Sequence, residues 1–451
     1  MNQPQVIQTH NGKTDNGQCE SEVNSQQRLS KNVSRGSEPE SRSRPTRIDR
    51  WILRQLLKGI GNPSIDVRLW DNQPLAHRGD SGEAEITIRD RATLWKLAIS
   101  PEYQFGEAYT RGRLTIRGDL IDLCERIYRC LPKPGWRGGI RRRAHMSGAH
   151  SLSASRQNVY RHYDIGNEFY QLWLDEQLLY TCAYFPEGDE SLEAAQIAKM
   201  DLVCRKLRLQ PGQSVVEAGC GWGAMALYMA REYQVRVRAY NLSHEQIAFA
   251  RERADREGLS DRVEFVEDDW RNITGNYDAF VSVGMLEHVG IENYSLLGDV
   301  IHRSLKQPGL GLIHTIGKNF AEPLNAWIEK RIFPGAAPPS LKQMMSIFEG
   351  WEYSILDVEN LRLHYAQTLR HWLQRFEAHA DTIEELYDDE FVRTWRLYLA
   401  GSVAAFLAGT LQLFQVVFTQ ADNNQIPWSR ASLYQRESDS FESASMTGHH
   451  R

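Results

Sequence analysis

A β-branched run in this 451-residue chain breaks into three alternating glycines, Glu217-Ala218-Gly219-Cys220-Gly221-Trp222-Gly223. Glycine is needed where a strand turns tightly into a helix and the backbone must touch a ligand with no Cβ in the way. A helix over Ala224 to Glu232 would then aim its N-terminus at that ligand. Farther along, Met285-Leu286-Glu287-His288 and His314-Thr315-Ile316-Gly317 stand at the ends of two more apolar runs. A carboxylate and a histidine on neighbouring strand ends are suited to holding a small ion or moving a proton. Alone, Glu287 or His314 reads equally well as a satisfied polar residue of the core; their joint place above the glycine turn favours chemistry.

The turn also satisfies the loose dinucleotide pattern, as Gly219-x-Gly221-x-x-Ala224, so a nicotinamide enzyme is an alternative. That pattern expects an acidic residue about 20 positions on, holding a ribose hydroxyl. The second strand instead closes with Ala239-Tyr240-Asn241-Leu242-Ser243, which has no carboxylate. The acids come elsewhere: Glu217 before the first glycine, and Asp268-Asp269 after the run Val263-Glu264-Phe265-Val266. The plainest alternative is a ligand-free βα turn.

These residues need a sheet to position them. Strands expected at Ser214 to Gly219, Arg236 to Leu242, Val263 to Asp269, Ala279 to Met285 and Gly311 to Ile316 alternate with helices. That alternation specifies an α/β fold with a mostly parallel sheet and right-handed crossovers. Ligands of such sheets bind beyond the carboxyl ends of the strands. Upstream, a helix is expected at Glu168 to Leu174, an aromatic loop at Leu179 to Phe185, and a helix at Ser191 to Leu209 with Lys206 and Arg208 at its end, matching the helix dipole. After Ile316 an insertion rich in Pro, Trp and Phe, Phe320 to Gly350, is placed to cover a ligand. A strand at Tyr353 to Val358, helices at Tyr365 to Ala378 and Asp389 to Leu407, and an antiparallel edge strand at Leu411 to Thr419 finish the domain.

The remaining chain divides by composition. Residues 1–49 are polar and read as a disordered leader; residues 50–131 form a small mixed domain, with short strands at Ile65 to Trp70 and Glu85 to Ile88 and a helix near Ala92 to Ile99. A basic linker spans residues 132–158, with Arg137 and Arg141 to Arg143 around Pro/Gly breaks. It reads either as a solvated hinge or as a patch for anionic lipid headgroups. Residues 147–156 look mobile, residues 159–420 hold the α/β domain, and residues 421–451 are a polar tail. A formal charge of −5 argues against nucleic-acid binding. Six cysteines show no paired metal spacing, and Cys124 and Cys130 read as buried free thiols. The N-terminus lacks the pattern of a signal peptide. Leu397 to Ala421 carries no charge, but its Gly401, Ser402, Gly409, Thr410, Gln412, Gln415 and Gln420 speak against a membrane span.

Several motifs together carry a resemblance. The stretches His162-Tyr163-Asp164-Ile165-Gly166-Asn167, Tyr180-Thr181-Cys182-Ala183-Tyr184-Phe185, Glu217 to Gly223, Ser282-Val283-Gly284-Met285-Leu286-Glu287-His288-Val289-Gly290, His314 to Gly317, Ile332-Phe333-Pro334-Gly335 and Gln412 to Phe418 resemble the cyclopropane-fatty-acyl-phospholipid synthase family, over about residues 50 to 420. The resemblance implies a Rossmann-like class I methyltransferase sheet with helical lid insertions behind a small mixed N-terminal domain. It implies transfer of a methyl group from S-adenosylmethionine to the cis double bond of a phospholipid acyl chain, with bicarbonate as base and no metal. Carried over residue by residue, the bicarbonate set is Cys182, Glu287, His314, Ile316 and Tyr365. The cofactor set is Tyr180, Thr181, Glu217, Gly219, Cys220, Gly221, Trp222, Gly223, Asn241, Leu242, Ser243, Gln246, Asp269 and Trp270. Two positions depart from the family: Glu217 stands where aspartate is common, and Ser402 where some relatives have a cysteine, which argues against a covalent thiol step. A methyl-branching enzyme, a methyltransferase for another acceptor and a catalytically silent lipid or cofactor binder are the alternatives. The implied setting is cytoplasmic and peripheral, on the inner face of the membrane, with a homodimer as one option.

Overall fold

The computed structural model describes residues 44–74, 84–132 and 165–434. Order starts with a capping box, in which Thr46 Oγ1 accepts from Asp49 N–H and Asp49 Oδ2 accepts from Thr46 N–H at 2.7 Å. It opens helix α1 (Arg47–Gly59) and buries Asp49 against Arg91. The helix thus reaches into the leader expected up to residue 49, because the cap lies ahead of the apolar stripe.

Strands β1 (Asp66–Arg68) and β2 (Ala84–Ile88), helices α2 (Arg91–Ile99) and α3 (Pro101–Thr110), strand β3 (Leu114–Gly118) and helix α4 (Leu120–Cys130) follow. β2 is central, parallel to β1 and antiparallel to β3, and its alternation turns Ala84, Ile86 and Ile88 inward. Cys124 is buried and Cys130 half-buried, both as free thiols. The basic cluster 137–143, the stretch 147–156 and His162 to Asp164 lie outside the described residues.

The larger part begins with α5 (Asn167–Gln171), shorter than expected, and α6 (Leu192–Lys206), whose cap Ser191 accepts from Ala194 N–H. Then come β4 (Ser214–Ala218), α7 (Ala224–Glu232), β5 (Arg236–Asn241), α8 (His244–Glu257), β6 (Val263–Glu267), β7 (Tyr277–Val283), α9 (Leu286–Val289), α10 (Tyr294–Ser304) and β8 (Leu305–Gly317). After β8 the insertion carries α11 (Ala326–Arg331) and α12 (Leu341–Met344). It leads to β9 (Tyr353–Asn360), α13 (Arg362–Ala378), α14 (Ala380–Leu386), α15 (Asp389–Leu407) and β10 (Gln412–Gln420).

Seven strands form one sheet in the order β6-β5-β4-β7-β8-β10-β9, parallel from β6 to β8. β10 is antiparallel, as expected, but it is not the edge: it lies between β8 and β9 and is buried along its whole length. Its uncharged run suits the interior, whereas β9, with Ser354, Asp357 and Glu359, takes the edge. The uncharged stretch 397–421 is shared between the end of α15 and β10. No helix among the described residues is long and apolar enough to cross a membrane.

The N-terminal helices hold the insertion. Gly106 of α3 leaves room for the Trp327 indole of α11, so that a Cβ there would stand 2.4 Å from the ring. Arg331 donates twice to Glu107, at 2.6 and 2.8 Å, and Ala326 N–H donates to Glu102 at 3.1 Å.

Candidate active site

Beyond the carboxyl ends of β4, β5 and β6 a cavity of about 150 Å³ opens. The turn after β4 lines it with Gly219, Cys220, Gly221 and Trp222, under Glu217. Gly221 has φ +54° and its Cβ would meet no protein atom, the condition for close ligand approach. Trp222 is fixed by an Nε1–H bond to Asn167 Oδ1 at 2.8 Å and by the Tyr170 ring. Asn241 and Leu242 close one side; Asn241 Nδ2 donates to Gly221 O at 3.3 Å and to Gln246 Oε1 at 2.7 Å. Asp269, held by Arg271 at 3.0 Å, and Trp270 close another, and Tyr180 and Thr181 also line the cavity.

Two expected cofactor residues do not line this cavity. A Cβ on Gly223 would stand 2.6 Å from Phe265 and 2.8 Å from Ala250, so this glycine serves the packing of α7 on its neighbours. Ser243 is buried as the cap of α8, its hydroxyl accepting from Gln246 N–H.

The floor carries two buried ionisable groups. Glu217 is 2 % exposed, and its Oε2 has no protein partner. Lys199, 1 % exposed, donates to Thr181 Oγ1 at 2.9 Å. Burial pushes the Glu217 carboxyl up to about 8 and brings the Lys199 ammonium down to about 8, while their mutual attraction opposes both shifts.

A second cavity, about 90 Å³, shares Tyr180, Thr181, Gly284 and His288 with the first. Cys182, Glu287, His314, Ile316 and Tyr365 all line it. Glu287, on α9 after β7, accepts Ile316 N–H on Oε1 at 2.6 Å, while its Oε2 is buried without a protein partner. Burial raises this carboxyl to about 7, against the pull of the Ile316 hydrogen bond. His314 is 1 % exposed; its Nδ1 lies 3.0 Å from Gln415 Nε2, and its Nε2 has no protein partner. Burial, together with the Lys199 and Lys206 charges, holds it well below the usual imidazole range, so the ring is neutral. Burial likewise keeps Cys182 a thiol, its Sγ 3.1 Å from Ala183 O. Such a thiol is no nucleophile.

The rest of this cavity is apolar and aromatic. Tyr180, Phe333, Tyr365, Tyr398 and Phe406 contribute rings, with Leu324, Ile328, Leu369, Leu411 and Leu413 between them. Tyr180 and Tyr398 share a hydroxyl contact of 2.8 Å, and Tyr365 packs 4.7 Å from Phe406. Ser402 also lines it.

Sequence reasoning missed Lys199 and much of this apolar wall. A signal existed: Gln196, Lys199 and Lys206 fall on the same helical stripe as Leu192, Ala195, Leu202 and Val203, and all of these are buried. Polar residues on the buried stripe of a helix need partners inside.

The profile of the mycolic acid cyclopropane synthetase family matches residues 150–416, and that of a domain of unknown function matches residues 52–131. A probable fatty acid methyltransferase of Pseudomonas putida is 34% identical over 82% of this chain and 96% of its own length. A cyclopropane-fatty-acyl-phospholipid synthase of Escherichia coli is 40% identical over 60% of this chain and 69% of its own. Among solved structures, mycolic acid cyclopropane synthase CmaA1 complexed with SAH and CTAB is similar with a TM-score of 0.56 at 30% identity, over 59% of this chain and 98% of that one. A glycine turn without the dinucleotide acid, a second cavity beside it and these likenesses agree: the chain belongs to the mycolic acid cyclopropane synthetase family and is an S-adenosylmethionine-dependent methyltransferase.

Proposed function

We propose that the enzyme transfers a methyl group from S-adenosylmethionine to the cis double bond of an acyl chain in a membrane phospholipid and closes a cyclopropane ring. The observation that carries this is the shared wall of the two cavities at Tyr180, Thr181, Gly284 and His288, which sets a donor site against an apolar acceptor site.

In the first cavity the glycine turn supplies backbone approach, and the unpartnered Glu217 Oε2 is open to a hydrogen bond with a polar group of the ligand. An alkene is a weak nucleophile, so orientation against the sulfonium methyl in a dry pocket supplies much of the rate. Attack forms the new C–C bond, breaks the S–CH3 bond and leaves a carbocation on the chain. The faces of Tyr180, Phe333, Tyr365, Tyr398 and Phe406 are suited to stabilise that cation. Loss of a proton from the transferred methyl then closes the ring.

Its own groups are poorly suited to take the proton: Cys182 is a thiol, His314 has its Nδ1 engaged, and burial keeps Glu287 about half protonated near neutrality. A small anion fits there, because Glu287 Oε2 and His314 Nε2 are both buried without protein partners. Bicarbonate, as the resemblance implies, would supply the base when bound. Oε1 of Glu287 is occupied by Ile316 N–H, so its proton sits on Oε2 and is available to an anion's oxygen. Glu287, His314 and Tyr365 would hold and orient that anion, with Cys182 also lining the cavity.

We place the enzyme at the inner membrane surface as a peripheral protein, with the basic residues 137–143 as the contact. The likeness to a probable fatty acid methyltransferase over nearly its whole length favours a second reading, in which the product is a methyl-branched chain. Gas chromatography with mass spectrometry of lipids from cells expressing the chain tests both. Cyclopropane chains support the first reading, branched chains support the second, and unchanged lipids overturn both.

A further inference from the structure

From His314 a row of polar side chains runs across the sheet to residues outside the base site. His314 on β8, Gln415 on β10 and Glu359 on β9 are direct cross-strand partners, so the sheet places them side by side across three strands. Lys206, at the end of α6, meets the row with a side chain of 0 % exposure. Its ammonium donates to Gln415 Oε1 at 2.7 Å and pairs with Glu359 and, at 3.6 Å, with Asp357. Gln415 Nε2 lies 3.0 Å from His314 Nδ1.

Donor and acceptor types leave one arrangement. An ammonium only donates, so it fixes the Gln415 carbonyl toward Lys206 and the amide N–H toward His314. His314 Nδ1 must then accept, and a neutral ring with an accepting Nδ1 carries its proton on Nε2. The opposite tautomer would set two donors face to face, or would require an amide flip that turns N–H groups onto the buried ammonium. We infer that Lys206 and Gln415 are positioning residues that lock His314 in the Nε2–H tautomer, so that the ring offers a hydrogen-bond donor, not an acceptor, to the anion held in the second cavity. The consequence for catalysis rests on the proposed base site; the tautomer itself does not.

This gives Lys206 a role beyond its ion pairs. A lysine enclosed on an inward helical stripe costs desolvation, and Glu359 and Asp357 offset it. What it adds is direction to an amide that could otherwise sit either way round.

The test uses the full chain labelled with ¹⁵N-histidine, without lipid or bicarbonate, with the His314 resonances assigned by their loss in His314→Gln. Long-range ¹⁵N–¹H correlation should find His314 protonated at Nε2 and bare at Nδ1. Gln415→Glu gives Nδ1 an acceptor and should move a proton onto it; Gln415→Met, of similar volume, should release the ring to a mixture. S-adenosylhomocysteine affinity should hold in both variants, since neither position lines the cofactor cavity, and this also reports folding. Turnover should fall by about 10²-fold or more in Gln415→Glu, the scale on which a misdirected imidazole acts. A wild-type His314 protonated at Nδ1 overturns the inference whatever the variants do, as does a tautomer unmoved in a folded Gln415→Glu. A tautomer that shifts while turnover stays unchanged upholds the relay and overturns the anion site instead.

Discussion

Replacing Glu287 by Gln perturbs one proton. Burial lifts this carboxyl from 4.5 to about 7, so between those values the folded protein keeps a proton that the unfolded chain gives up. The sign follows: the folded state binds more protons, and stability falls as pH rises from the unfolded value through the folded one. At about 1.36 kcal/mol per pH unit the full loss is about 3.4 kcal/mol, of which about 2 kcal/mol falls between roughly pH 5.5 and pH 8. Gln keeps the shape and a carbonyl for Ile316 N–H but has no proton to lose. Urea unfolding of both proteins at fixed ionic strength, free of bicarbonate, should show the variant gaining about 2 kcal/mol on the wild type over that range. At the same time its turnover should drop by about 10²-fold or more, with S-adenosylmethionine affinity nearly intact. A stability difference that stays flat with pH would mean Glu287 titrates as an ordinary carboxylate, and the proton we place on its Oε2 would be absent.

Other expectations are briefer. Tyr365→Phe should lower turnover with little change in cofactor affinity, and added bicarbonate should partly restore a weakened site by mass action, read as rate against bicarbonate concentration. The wild type should bind S-adenosylhomocysteine and not NAD in calorimetry, and Gly221→Val should abolish that binding, since the side chain would occupy open space at a positive φ. Gly106→Val drives a side chain into the Trp327 indole; thermal or urea unfolding should register about 1–3 kcal/mol of destabilisation, and turnover should fall more than cofactor affinity as α11 shifts. Vesicle binding should require anionic lipid and weaken with salt if residues 137–143 make the contact; equal binding to neutral vesicles would exclude them.

Much of this site is legible in the sequence because its parts are short and local. Gly219 to Trp222 announce a turn, and Glu287 and His314 stand at strand ends where an α/β sheet places ligands. What needs long-range knowledge was not legible. Gly223 and Ser243 belong to the same motifs as their neighbours, and only the fold separates packing and capping from ligand contact. β10 reads as the last strand and so as the edge, yet chain order does not set sheet order; the polar residues of β9 were the better guide. The start of α1 was marked by Thr46 and Asp49, a cap that composition alone hides. Lys199, Lys206 and Gln196 were marked by their place on a buried helical stripe, but their partners at Thr181, Gln415 and Leu179 come from other elements.

The most direct measurement uses S-adenosylmethionine with a fully deuterated methyl group, purified enzyme and vesicles of cis-unsaturated phospholipid. Ring closure by proton loss requires that the added carbon appear as a cyclopropane methylene that has lost one deuteron and kept the other two, seen by mass spectrometry and by the ring resonances in NMR. An added carbon that retains all three deuterons as a methyl branch would contradict ring closure and the base site built around Glu287, His314 and Tyr365.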